Sequence, residues 1–297
     1  MVGIDAITKK YNIKVVEELK KGFSEDKKFV LKNCTNNYIL RLSKIEKYEF
    51  KKKQYELLNK VDSSINCTRI LEFGVFNEKY CYYITTMLDG TEATEYIKNS
   101  NDKEAYLLGV KAGENLRKWH NTKIDNSNNF WYESYIRKKD RIVKELLNCG
   151  CTIPSQDKLL RYYNEKSYLM KDRPIVFCHG DFHLGNMLVN NHEIAIIDVV
   201  NSSLSDPYEE FKRGYWNAIE SEIFQTGLIN GYFNSRISNE FFEILKYYSV
   251  EAMITYLLRS IKNDCVENSI LLNEAQIRWW GNFDYDIPTW YKGVNPV

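Results

Sequence analysis

The 297-residue chain predicts an α+β fold of two lobes, the first rich in strands and the second mainly helical. Two observations carry this. Up to Gly90 the apolar residues come in short runs bounded by turn residues, with one amphipathic helix among them. Beyond Asp89-Gly90 they recur at helical spacing almost to the C-terminus. The predicted lobes are residues 1–88 and 89–297, joined near Thr86 to Gly90, and ligands commonly sit in such joints.

The first lobe opens on an apolar–polar alternation from Val15 to Leu19, followed by a turn from Lys20 to Lys28 that holds Gly22 and Ser24. Phe29-Val30-Leu31 and Tyr38-Ile39-Leu40-Arg41-Leu42 read as strands joined by a hairpin over Asn33 to Asn37. Glu46 to Val61 is a charged amphipathic helix with its apolar stripe near Phe50, Leu57, Leu58 and Val61. Its run Lys51-Lys52-Lys53 reads as a solvated face. Ile70 to Phe76 and Tyr80 to Met87 form a second hairpin that turns at Asn77-Glu78.

In the second lobe, Ala105 to His120, Trp131 to Leu147 and Gln156 to Leu169 read as helices. Two strands follow, Ile175 to Cys178 and Ile194 to Ile197, with a loop between them. From Asp206 onward the pattern is helical, including Phe241 to Ile261 and Asn273 to Trp280.

Composition excludes several classes. Forty-one basic residues against forty acidic ones leave a formal charge of +1, so no basic surplus marks a nucleic-acid binder. Seven cysteines at Cys34, Cys67, Cys81, Cys149, Cys151, Cys178 and Cys265 show no C-x-x-C spacing, and they read as reduced thiols. No apolar run approaches the length of a membrane span, and the expected location is the cytoplasm.

The informative stretch is Cys178-His179-Gly180-Asp181-Phe182-His183-Leu184-Gly185-Asn186-Met187, followed by Ile194-Ala195-Ile196-Ile197-Asp198. An apolar strand delivers one carboxylate onto a loop; an amide follows five residues later, and a further strand ends in a second carboxylate. In phosphoryl transfer from ATP, the first carboxylate orients the attacking hydroxyl, and the amide and second carboxylate hold magnesium between the phosphates. His179, Asp181 and Asn186 reproduce the H-x-D-x-x-x-x-N spacing of a kinase catalytic loop. Any one of these residues alone would read as a turn or cap residue. A metal-binding pair of His179 and His183 is the rival reading, with no third ligand at a recognised spacing.

The segments H-G-D-F-H-L-G-N-M-L-V and I-A-I-I-D resemble the catalytic block of the aminoglycoside phosphotransferase and choline kinase superfamily. Asp206-Pro207 and Asp89-Gly90 are similar to family features as well. The resemblance implies a two-lobed, protein-kinase-like fold and ATP- and magnesium-dependent transfer to a small-molecule hydroxyl, with GTP a further candidate donor. It implies that Asp181 is the catalytic base and that Asn186 and Asp198 are the magnesium ligands. Arg41 stands where kinases place the phosphate-binding Lys, and its planar fork suits two phosphate oxygens. The phosphate loop G-x-G-x-x-G is missing, which leaves backbone amides and Ser24 to cover the phosphates. Adenine is expected against the segment containing Thr86 and Met87. The helix position that usually pairs with the strand cation falls on Gln54, which forms no ion pair; Glu49 and Glu56 are the alternatives.

The acceptor is less legible. An aminoglycoside needs carboxylates as counter-charges, and Asp206, Glu209 and Glu210, with Glu220 and Glu222 beyond, form an acidic stretch after Asp198. Trp216, Trp279, Trp280, Tyr285 and Trp290 offer stacking surface or core. Three functions follow: an O-phosphotransferase for aminoglycoside-type antibiotics, a metabolic kinase for choline, homoserine or a sugar, and a non-catalytic nucleotide-binding module. The joint presence of Asp181, Asn186 and Asp198 disfavours the third. Gly180 in place of the Arg of protein kinases, with no A-P-E segment, disfavours a protein substrate.

Overall fold

The computed structural model describes residues 8, 13–19, 26–124 and 131–297. Five antiparallel strands make the N-terminal sheet: β1 (Lys14–Leu19), β2 (Lys27–Lys32), β3 (Asn37–Lys44), β4 (Ile70–Phe76) and β5 (Tyr80–Thr86), in the order β1-β2-β3-β5-β4. β4 and β5 meet in a tight three-residue turn over 77–79, with Asn77 and Glu78 both at positive φ. Lys27 and Lys28, expected in a turn, belong to β2 and extend it toward the cleft. Helix α1 (Tyr48–Leu58) crosses from β3 to β4.

Packing corrects the reading of α1. Leu57 and Leu58 are buried as expected, but Phe50 is 57% exposed, and Lys51 is buried while Lys52 and Lys53 face water. The buried stripe of α1 is therefore Lys51, Gln54, Leu57 and Leu58, a mixed face whose polar members have specific partners described below.

The helical part follows. It comprises α2 (Ala93–Lys98), α3 (Asp102–His120), α4 (Trp131–Asn148), α5 (Gln156–Glu165), α6 (Gly214–Glu220), α7 (Glu222–Phe233), α8 (Asn239–Lys262) and α9 (Val266–Trp279). α3 starts three residues before the expected Ala105, because the Asn101 side chain caps the Glu104 amide. α5 ends at Glu165, and the segment expected to continue it tightens into a 3-10 turn over Ser167–Met170. Residues 207–213, read as helical, also form a 3-10 turn, capped by Asp206.

Short strands carry the informative stretch. β7 (Val176–Cys178) pairs with β10 (Ser203–Ser205), while β8 (Met187–Asn190) pairs with both β9 (Glu193–Ile196) and β6 (Thr91–Glu92). Behind them α3 and α7 touch backbone to backbone. A Cβ on Gly109 or Gly113 would lie 2.2 or 2.0 Å from the carbonyl of Phe224 or Leu228. One on Gly227 or Gly231 would meet Tyr106 or Val110 in the same way. One large apolar core runs through the helical part and under α1, and a second, smaller one covers the other face of the sheet around Leu31, Leu40 and Ile84.

Candidate active site

The loop between β7 and β8 is shaped before any ligand arrives. Gly180 has φ +84°, and a Cβ there would sit 2.4 Å from the Asn201 carbonyl oxygen, so the position requires glycine. His179 is fully buried; its Nε2 donates to the Ile197 carbonyl (3.0 Å) and its Nδ1 accepts from the Asp181 amide (3.3 Å). Burial lowers the His179 pKa to about 4, which keeps the ring neutral and fixes that tautomer. His183 caps the turn over Leu184–Asn186 by accepting from the Gly185 amide, and its Nε2 lies 3.4 Å from Asp181 Oδ1. Both histidines thus spend ring nitrogens on shaping the loop.

Asp181, Asn186 and Asp198 converge on one cleft of about 1240 Å³, together with Lys28 and Arg41. The Asn186 amide donates to the Asp181 carbonyl (2.8 Å), and the Asn186 carbonyl accepts from the Ile197 amide (2.9 Å), which ties the loop to the strand end that bears Asp198. Burial would raise the Asp181 pKa, but His183, Arg213 and Asn186 outweigh it and hold the carboxyl at about 2. Arg213 Nε lies 3.0 Å from Asp181 Oδ1 in an ion pair whose angle falls short of a hydrogen bond. Asp198 sits at φ +57°, a sparsely populated backbone for a non-glycine residue at a ligand-facing position.

Arg41 reaches Asp198, not the helix: its Nη2 lies 2.9 Å from Asp198 Oδ1. Gln54 instead donates to the carbonyls of Val200 (2.9 Å) and Ser202 (2.7 Å) and accepts from the Tyr83 hydroxyl (3.2 Å). Lys51 also donates to Val200 (3.3 Å), and burial lowers its pKa. Glu49 and Glu56 face water. Helix α1 therefore grips the segment after Asp198 through neutral amide bonds and a buried lysine, a device that a search for an ion pair overlooks.

The other expected contacts lie elsewhere. Ser24 falls outside the described residues. Thr86 and Met87 end β5 away from the cleft lining, their amides donating to Arg69 (2.9 Å) and Asn37 (3.2 Å). Asp206 is fully buried, where it forms a two-pronged pair with Arg173 (2.9 and 3.0 Å) and accepts from Tyr248. Glu209 joins Glu251, Lys138 and Lys212 in a largely buried charge network, and the two lysines hold its carboxyl well below the usual range against the effect of burial. Glu210 is buried and accepts from the Gly180 amide (2.5 Å); burial lifts its carboxyl to about 7. Glu209 and Glu210 border a small separate cavity behind Gly180, not the main cleft. Of the acidic stretch only Glu220 lines the cleft, and of the aromatics only Trp216; Trp280 and Trp290 are core. Arg213, Tyr256 and Arg259 complete the wall opposite Arg41 and were missed, since single residues on helices carry no local signal.

Residues 15–240 match the family model described as "Phosphotransferase enzyme family". The chain belongs to this family. The phosphotransferase also shares its fold with solved aminoglycoside phosphotransferases. It matches the apo form of a thermostable mutant of APH(4)-Ia at 16% identity and TM-score 0.66, over 92% of this chain and 98% of that one. It matches the gentamicin complex of APH(2'')-IIa at 14% identity and TM-score 0.61, over 91% and 94%. A further match, to a ternary complex of APH(4)-Ia with ADP and hygromycin B, has 14% identity and TM-score 0.65, over 92% and 97%. No curated protein matches the sequence. By family, on this kinase-like fold, the phosphotransferase is a small-molecule kinase.

Proposed function

We propose that this phosphotransferase moves the γ-phosphoryl group of ATP, with magnesium, onto the hydroxyl of a small molecule held in the cleft. The convergence of Asp181, Asn186 and Asp198 with Arg41 and Lys28 on one cleft carries the reading. Asp181, ionised and aimed into the cleft, orients the acceptor hydroxyl and takes its proton. The hydroxyl oxygen forms the new bond to phosphorus as the bond from phosphorus to the ADP oxygen breaks. Asp198 and the Asn186 side-chain oxygen offer hard oxygen donors of the kind magnesium prefers. Magnesium, when bound there, neutralises charge on the phosphates. Arg41 and Lys28 hold the phosphate end of the nucleotide. The two lobes divide at 88/89, and nucleotide enters between them.

An aminoglycoside-type antibiotic is the acceptor that the solved neighbours suggest, and it requires carboxylates facing the cleft. The positions expected to supply them, Asp206, Glu209 and Glu210, are engaged elsewhere, which favours the second reading, a kinase for a smaller metabolite. The test is magnesium-dependent ATP turnover with aminoglycosides, choline, homoserine and sugars as acceptors. Turnover with one of them, abolished in Asp181→Asn, supports the reading. Turnover that survives in that variant sinks it.

A further inference from the structure

Three side chains outside the cleft meet behind the loop that carries Asp181. His120 ends α3, Cys178 ends β7, and Glu210 lies in the 3-10 turn over 207–213. One atom of each, a ring nitrogen, the thiol sulfur and a carboxylate oxygen, lies within 4.8 Å of the other two. All three residues are buried. Two atoms of the cluster have no hydrogen-bond partner among the described residues, Nε2 of His120 and Oε2 of Glu210. Buried polar atoms are normally paired, so two unpaired ones beside a thiol call for a ligand.

The remaining polar atoms of these side chains are already held. His120 Nδ1 lies 2.8 Å from the Tyr232 hydroxyl, and Glu210 Oε1 accepts from the Gly180 amide (2.5 Å). With its proton on Nδ1 and donated to Tyr232, the imidazole presents a lone pair at Nε2. Such an outer hydrogen bond is what orients a metal-binding histidine. The contacts of Cys178 Sγ are long, 3.7 and 3.6 Å to the Ser205 and Asp206 carbonyls. Cys178 and Glu210 also line the small cavity behind Gly180, of about 100 Å³, which has room for water and gives a small ion a way in. A neutral imidazole, a thiolate and a carboxylate form a mixed donor set that suits zinc better than magnesium or calcium.

From this we infer a zinc site at His120, Cys178 and Glu210, its fourth position taken by water from the cavity. The site is separate from the cleft, and no step of phosphoryl transfer passes through it. Glu210 holds the Gly180 amide with its other oxygen, so zinc here braces the loop that carries Asp181 from behind.

The experiment uses the full chain, stripped with a chelator and kept in excess magnesium to occupy the oxygen donors of the cleft. In this reference state the Glu210 carboxyl is free to hold a proton. Cobalt(II) is added as a zinc substitute whose bond to a thiolate absorbs in the near ultraviolet, and zinc is then used to displace it. The expected result is that absorption at one equivalent of cobalt, its loss on adding zinc, and a Tm that rises with zinc concentration. Cys178→Ser should abolish the absorption, and Glu210→Gln should weaken zinc binding more than about tenfold. Tyr232→Phe keeps the ring and removes only the outer hydrogen bond, so zinc affinity should fall about tenfold in a variant that still folds. A wild-type chain without the absorption overturns the inference, whatever the variants do. Absorption that survives in Cys178→Ser overturns it as well, since the thiolate then belongs to another cysteine. Zinc affinity unmoved in both Glu210→Gln and Tyr232→Phe has the same consequence.

Discussion

Arg41 on β3 and Asp198 beyond β9 meet across the cleft, 2.9 Å apart, although 157 positions separate them in the sequence. The pair joins the group proposed to hold phosphate to the group proposed to hold metal, so the two lobes are electrostatically linked at the cleft. Removing either member should be felt in nucleotide affinity. Arg41→Gln is expected to raise the KM for ATP about tenfold. Asp198→Ala is expected to weaken nucleotide binding chiefly when magnesium is present. Titration of a fluorescent ATP analogue, with and without magnesium, checks both; affinity unmoved by Asp198→Ala would remove its metal role.

Asp181→Asn keeps the shape of the loop and removes the carboxylate that is to take the proton. The expected loss in kcat is roughly a hundredfold or more, with nucleotide affinity retained. Initial rates at saturating ATP, alongside binding of ADP, separate these effects.

Gly180→Ala forces a left-handed backbone on a residue whose Cβ would strike the Asn201 carbonyl at 2.4 Å. The backbone effect alone is worth about 1 kcal/mol, and the clash adds to it by pushing the loop off the Asp198 segment. Thermal melting should show a lower Tm, and turnover should fall more than tenfold (order of magnitude, since a small misplacement of reacting groups is costly).

Gln54→Glu looks like a restoration of the usual strand–helix ion pair, and it is expected to fail. The carboxylate would lose both bonds to the Val200 and Ser202 carbonyls and face their oxygens, with only Lys51 nearby (3.4 Å) to offset it. A destabilisation of about 2 kcal/mol is expected from chemical denaturation. A stabilised variant would show that α1 can turn to meet Arg41.

Glu210 gives a pH signature. Burial is the main cause that raises its carboxyl from 4.5 to about 7, with Glu209 adding and Gly180, Arg213 and Lys212 opposing. Between those values the folded protein holds a proton that the unfolded chain has released, so stability falls as pH rises through the window. Glu210→Gln keeps an acceptor for the Gly180 amide without the charge. Its Tm should therefore decline less than that of the wild type between about pH 5 and 8, with a gap on the order of 2–3 kcal/mol at the upper end. Parallel curves would mean that the Glu210 carboxyl does not titrate in that window.

The loop block that converges on the cleft and the strand-then-helix order of the fold were legible because they are local. Strand, loop, carboxylate and amide follow one another within ten residues, from Cys178 to Met187, and their spacing survives folding. The acidic stretch after Asp198 misled for the opposite reason. Sequence shows that Asp206, Glu209 and Glu210 are near the site along the chain, but not that Arg173, Lys138, Lys212 and the Gly180 amide turn them inward. Lys51 was misread in the same way, since a run of lysines gives no sign that one member lies under the sheet. The cleft wall gathers Arg213, Trp216, Tyr256 and Arg259 from the 3-10 turn over 207–213, α6 and the distant α8, and no window of residues contains that pattern.

The four glycines between α3 and α7 also bear on how this chain can diversify. At each of them any side chain would collide with a main-chain carbonyl or its neighbours, so that seam is closed to mutational drift. Arg259 and Tyr256 line the cleft from α8, outside that seam. Sequence change is therefore expected to gather at the cleft lining, while the interior seam is inherited unchanged.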